Sequence, residues 1–136
     1  MDNWLTTAFI AFALYGLWGF FPKLAVSYIS PGSAIVYEVA GTIVVGLLAM
    51  KIVGFRPEVH PKGILFAVLT GVTGMLGTLF FFYSVKNGKV SVVVSLTALY
   101  PLITIILAYL FLREPISSRQ LVAMFLALVA LYLFAA

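Results

Sequence analysis

Two charged side chains stand where charges are costly. Lys23 and Glu38 each fall inside long apolar stretches, and a charge at the centre of a membrane span costs at least about 2.5–3.5 kcal/mol. They mirror one another about the Ser30-Pro31 turn, each about seven residues from it. At 1.5 Å of rise per residue this puts both roughly 10 Å below the same membrane surface on neighbouring antiparallel helices. A salt bridge between them is geometrically possible. Two readings follow: Lys23 snorkels to the headgroups with Glu38 as its counter-ion, or the pair serves coupling or binding. Glu38 is the stronger functional candidate. Asp2, Glu58 and Glu114 fall at ends or in loops, so Glu38 is the acid that could exchange a proton or hold a cation inside the bilayer.

Polar and small residues around these charges keep helical spacing. Tyr15, Trp18, Gly19 and Pro22 share one stripe, and Ala34, Glu38, Gly41 and Thr42 another. Both stripes are expected to face a bundle interior. Gly71, Gly74 and Gly77, beside Thr70 and Thr78, make a small surface that serves either close helix packing or a cavity wall. Ser95, Thr97, Tyr100, Pro101 and Thr104 follow on the next helix. Pro101 removes a hydrogen bond near the bilayer centre, which gives either a tolerated kink or a bend that opens backbone carbonyls toward a cavity. The candidate substrate-binding or coupling residues are therefore Glu38, Lys23, Tyr15, Trp18, Thr42, Gly74, Thr97, Tyr100 and Pro101. Aromatic walls from Tyr15, Trp18 and Tyr100 would suit apolar bodies and cations alike.

Elements able to place such residues must cross a membrane. Of 136 residues 64% are hydrophobic and 9% charged, a balance from which no water-soluble surface can be built. A span takes about 20 apolar residues, and five are expected: 4–27, 33–50, 63–85, 90–112 and 116–136. Ser30-Pro31-Gly32, Gly54 to Gly63, Lys86 to Lys89 and Arg113-Glu114-Pro115 separate them. Such short connections make consecutive helices antiparallel neighbours. No internal repeat or linker appears, so residues 1–136 read as one all-α membrane domain. The first apolar stretch lacks a preceding Lys or Arg and a cleavage pattern, and reads as a retained helix rather than a signal peptide.

Several chemistries find no residues to carry them. Without cysteine there are no disulfides or thiolate ligands, and the single histidine, His60, lies in a loop. Neither an enzyme site, a cofactor nor a metal is expected. The net charge of +4 comes from residues that flank apolar helices singly, which suits lipid headgroups rather than nucleic acid. Lys51, Arg56, Lys62, Arg113 and Arg119 fall on the side of the N-terminus, against Lys86, Lys89 and the undecided Lys23 on the other. This weak bias favours a cytoplasmic N-terminus and leaves dual insertion open.

Over nearly its whole length the chain resembles one repeat of the EamA family within the drug/metabolite transporter superfamily. The resemblance rests on Trp18-Gly19 followed by Lys23, on Pro31 at the first turn, on Tyr83 ahead of Gly88, and on Pro101 ahead of Glu114 with Gln120 in register. Three positions depart from the family's habit: an arginine is common near the place of Glu38, a glycine where Arg113 precedes Glu114, and glycines where Ala123 and Ala130 stand.

Most members resemble two five-helix repeats, inverted around a central substrate cavity, whereas this chain has one. Because five is odd, a second copy would run inverted, so the resemblance implies an antiparallel homodimer like the small multidrug-resistance transporters. The function expected is a secondary transporter that exports small amphipathic or cationic metabolites by alternating access. It would be a multi-pass protein of a prokaryotic inner membrane, with lipid and a small-molecule substrate as partners. A non-transporting subunit of a hetero-oligomeric complex and a lipid flippase are the alternatives.

Overall fold

A computed structural model describes residues 4–135. Asp2 and Ala136, the latter the end of the expected fifth span, lie outside the described residues. Every described element is helical, as required of a chain whose backbone must satisfy its own polar groups in lipid. The helices gather into two compact units, one ending at Asn87 and one starting at Gly88.

The first unit holds α1 (Trp4–Tyr28), α2 (Pro31–Ile52) and α3 (Pro61–Asn87). Local chemistry sets their ends. Pro31 excludes helical backbone at Ser30, which takes φ −70° and ψ 152°. That residue then caps α2, its hydroxyl accepting the Ser33 amide at 3.2 Å. α2 stops where Gly54 (φ 63°) and Phe55 (φ 58°) turn left-handed. His60 starts α3, its Nδ1 accepting the Gly63 amide at 3.3 Å.

Burial in this unit is concentrated at one end. Gly19, Pro22 and Val26 of α1, Pro31 and Ala34 of α2, and Thr78, Phe81, Phe82 and Val85 of α3 make the core. α1 and α3 therefore meet along i, i+3, i+7 and i, i+3, i+4, i+7 stripes that run toward their C-termini. Elsewhere large apolar side chains such as Phe9, Phe12, Leu47 and Phe66 are exposed, the arrangement of helices solvated by lipid. The glycine surface of α3 is open: a Cβ at Gly71, Gly74 or Gly77 would meet no atom within 4 Å. Close packing within this unit is not what these glycines serve.

The second unit comprises α4 (Val90–Thr97), α5 (Tyr100–Leu107), a π-helical turn (Ala108–Leu112) and α6 (Ser118–Ala135), with α4 packed on α6. The sequence-predicted span at 90–112 is thus present but broken. Pro101 offers no amide to the Thr97 carbonyl and its ring crowds that carbonyl, so the chain tightens to i+3 bonds from Leu99 to Leu96 (3.2 Å) and from Leu102 to Leu99 (2.9 Å). The π-helical turn ends on Arg113 in left-handed backbone, φ 56°.

Among the described residues four stretches are long and apolar enough to cross a membrane: Trp4–Tyr28, Pro31–Ile52, Pro61–Asn87 and Val90–Leu112. The expected fifth span begins late, at Ser118, where α6 starts, because Ser117 is spent as a cap. The Ser117 hydroxyl accepts the Gln120 backbone amide at 3.3 Å, and the Gln120 side-chain Oε1 accepts the Ser117 amide at 2.7 Å. This reciprocal capping box fixes the helix start after Ser117, two residues later than the apolar pattern suggested.

Candidate functional site

In the first unit three helices bring an aromatic pair and a carboxylate together at the boundary of the buried end. Trp18 of α1 stacks on Phe81 of α3 with ring centroids 5.2 Å apart and an interplanar angle of 29°. Its indole Nε1 donates to Glu38 Oε1 of α2 at 2.8 Å. Glu38 is partly buried, and its second oxygen, Oε2, is buried without a hydrogen-bond partner. Trp18 is thereby held on both faces of its chemistry, the ring by dispersion and the N–H by a charge-assisted bond. A buried carboxylate oxygen left over is a place for a proton or a cation, since an uncompensated one is costly.

The expected Lys23–Glu38 pair does not form. The structure gives Glu38 the Trp18 indole, while the Lys23 ammonium donates to the Val85 carbonyl of α3 at 2.6 Å. Lys23 projects toward α3 rather than toward Glu38. The reason is local: Val85 is fully buried in the last turn of its helix, where a carbonyl has no amide one turn ahead.

Other candidates of this unit lie on the same stripes, toward the open end. Tyr15, one turn before Trp18, is 66% exposed. Thr42, one turn after Glu38, returns its hydroxyl to the Val39 carbonyl at 2.8 Å. Gly74 lies two turns before Phe81, its carbonyl taken by Thr78 Oγ1 at 2.9 Å. In the second unit the Thr97 hydroxyl bonds the Val93 carbonyl at 2.9 Å, Tyr100 is exposed, and Pro101 occupies the first turn of α5.

Two participants escaped the sequence reading. Phe81 was one phenylalanine in Phe80-Phe81-Phe82, and its signal was position: it continues the Gly74–Thr78–Val85 face of α3. In the sequence Lys86 reads as a loop charge, although a cation in a helix's last turn is a C-terminal signal. Among the described residues no group of three or more His, Asp or Glu side chains could hold a metal ion.

The sequence profile of the EamA-like transporter family matches residues 2–136. The chain belongs to this family. Its residues that carried the resemblance now have physical roles in the EamA-like fold. Trp18 holds Glu38, buried Gly19 and Pro22 lie in the α1 stripe that meets α3, Pro31 opens α2, Pro101 breaks the fourth span and Gln120 completes a capping box. An uncharacterised protein of Methanocaldococcus jannaschii is 26% identical over 133 residues, covering 98% of this chain and 96% of its own. No solved structure matches.

Proposed function

We propose that this EamA-like protein is a secondary transporter that exports small amphipathic or cationic metabolites by alternating access, with Glu38 as the coupling group. The observation that carries the reading is the divided state of the Glu38 carboxylate: Oε1 is held by Trp18, and Oε2 is buried without a partner. A group poised in this way can take up a proton or a cation and give it up again, whereas a structural carboxylate has both oxygens satisfied. Membership of a transporter family supports the reading.

Five crossings, with α6 as the last span in a prokaryotic inner membrane, complete the proposed topology. An odd number of crossings makes two copies inverted when they face one another, so the transporting form is an antiparallel homodimer. The M. jannaschii relative, nearly all of which aligns with this chain, supports a unit of this size as the working protomer.

Reconstitution in liposomes tests the coupling role. Glu38→Gln keeps size and hydrogen-bonding capacity but loses the charge. It is expected to abolish substrate-driven proton movement, with the fold and dimer intact. A variant that still couples protons at the wild-type rate would return Glu38 to a structural role as the acceptor of the Trp18 indole.

A further inference from the structure

Two lysines on two parallel helices each reach the last turn of the other helix. Lys23 of α1 donates to the Val85 carbonyl of α3 at 2.6 Å, and Lys86 of α3 donates to the Val26 carbonyl of α1 at 2.9 Å. Val26 and Val85 are 2% and 0% exposed, so both carbonyls lie where neither water nor lipid can serve them. We propose that Lys23 and Lys86 form a reciprocal C-terminal clasp that fastens α1 and α3 into one rigid body, and that both are positioning residues for the Trp18–Glu38 pair.

The physical case has three parts. The last four carbonyls of a helix have no amide ahead of them, and Val26 and Val85 stand in the last turns of helices that end at Tyr28 and Asn87. A cation at a helix C-terminus is favoured by the macrodipole, and here each helix's dipole is answered by its neighbour's lysine. A buried main-chain carbonyl without a donor costs most where water is excluded, so loss of either lysine exposes the same joint to strain. When Lys23 is removed, the Val85 turn loosens and carries Lys86 of the next position away from Val26. The two bonds therefore act together.

This joint lies directly above the site along both helices. On α1, Gly19 lies one turn before Lys23 with Trp18 next to it in sequence, and from Val85 the α3 face runs through Phe81, on which Trp18 stacks at 5.2 Å. Holding the ends in register keeps the indole N–H aimed at Glu38. Lys23 thereby acts on the carboxylate through the backbone of α3 and the Trp18 ring. The clasp stands on this geometry alone, whether or not Glu38 moves protons.

The test uses the full-length protein in detergent with Trp4→Phe, which leaves Trp18 as the single tryptophan of two. Near-ultraviolet circular dichroism of its indole band and thermal melting need no substrate, so their outcome is separate from that of the liposome experiment. Lys23→Met and Lys86→Met are each expected to lose most of the Trp18 band and to lower Tm by about 5 °C. The double variant should fall short of the summed loss. Lys86→Arg should restore the band, because a guanidinium also donates to a carbonyl. A Trp18 band unchanged by Lys86→Met, or strictly additive melting losses, would overturn the clasp. If neither methionine variant accumulates, the two arginine variants decide: both are expected to fold with a native Trp18 band, and their failure would equally overturn it.

Discussion

At the scale of single residues, the balance at Glu38 is set by one donor. Trp18→Phe keeps an aromatic ring on Phe81 but removes the indole N–H bonded to Oε1, leaving the carboxylate poorly satisfied. Loss of a hydrogen bond to a charged group costs about 1.5–3 kcal/mol, and a fall in melting stability of that order is expected. The same substitution made on Glu38→Gln should cost distinctly less, because the acceptor is then neutral. Equal costs in the two backgrounds would show that the charge of the carboxylate adds nothing to the bond. A second residue carries strain of a different origin. Arg113 takes φ 56°, a conformation in which a Cβ approaches the following carbonyl oxygen. The resemblance to the family places a glycine there, which meets no such contact. Arg113→Gly is expected to stabilise the protein by about 0.5–1 kcal/mol after allowing for the greater freedom of glycine in the unfolded chain. Thermal melting of the variant in detergent checks the sign.

At the scale of elements, what was legible followed from rules that act within about one turn. Ser30-Pro31, Gly54 and Pro61 fixed the ends of α2 and the start of α3 to within two residues of the apolar pattern, since capping and proline sterics need no tertiary partner. Ser117-x-x-Gln120 was equally local, yet the apolar Ile116 beside it drew the expected helix start too early. What could not be read was which way a side chain turns between two possible neighbours. The choice by Lys23 of the Val85 carbonyl over Glu38 depends on α1 packing against α3, a contact between residues about sixty apart in sequence. The break in the fourth span lies between these cases. Pro101 announced a lost hydrogen bond, but the separation of α4 from α5 at Ala98 and Leu99 needed the structure. Pro101→Ala would supply an amide for the Thr97 carbonyl and remove the ring clash. The two helices are expected to join, and amide exchange at Ala98, Leu99 and Leu102 to slow measurably. Unchanged exchange would mean that the break is held by its surroundings rather than by the proline.

At the scale of the molecule, the proposed antiparallel dimer turns on how evenly the chain inserts. The clasp places Lys23 at the same end of the first unit as Lys86, since each bonds the last turn of the other's helix. Within the first unit the charges then divide into Lys51, Arg56 and Lys62 at one end and Lys23 and Lys86 at the other. Orientation is biased by Lys and Arg near span ends, so an asymmetry this small should leave both orientations populated, with the N-terminus more often cytoplasmic. Val59, uncharged and 82% exposed in the loop before α3, reports this without altering the count. In the naturally cysteine-free chain, Val59→Cys should be labelled by an impermeant maleimide partly from outside intact cells and fully only after permeabilisation. Labelling from one side in every molecule would remove the antiparallel homodimer, and with it the simplest way for one EamA-like unit to present two inverted halves to a substrate.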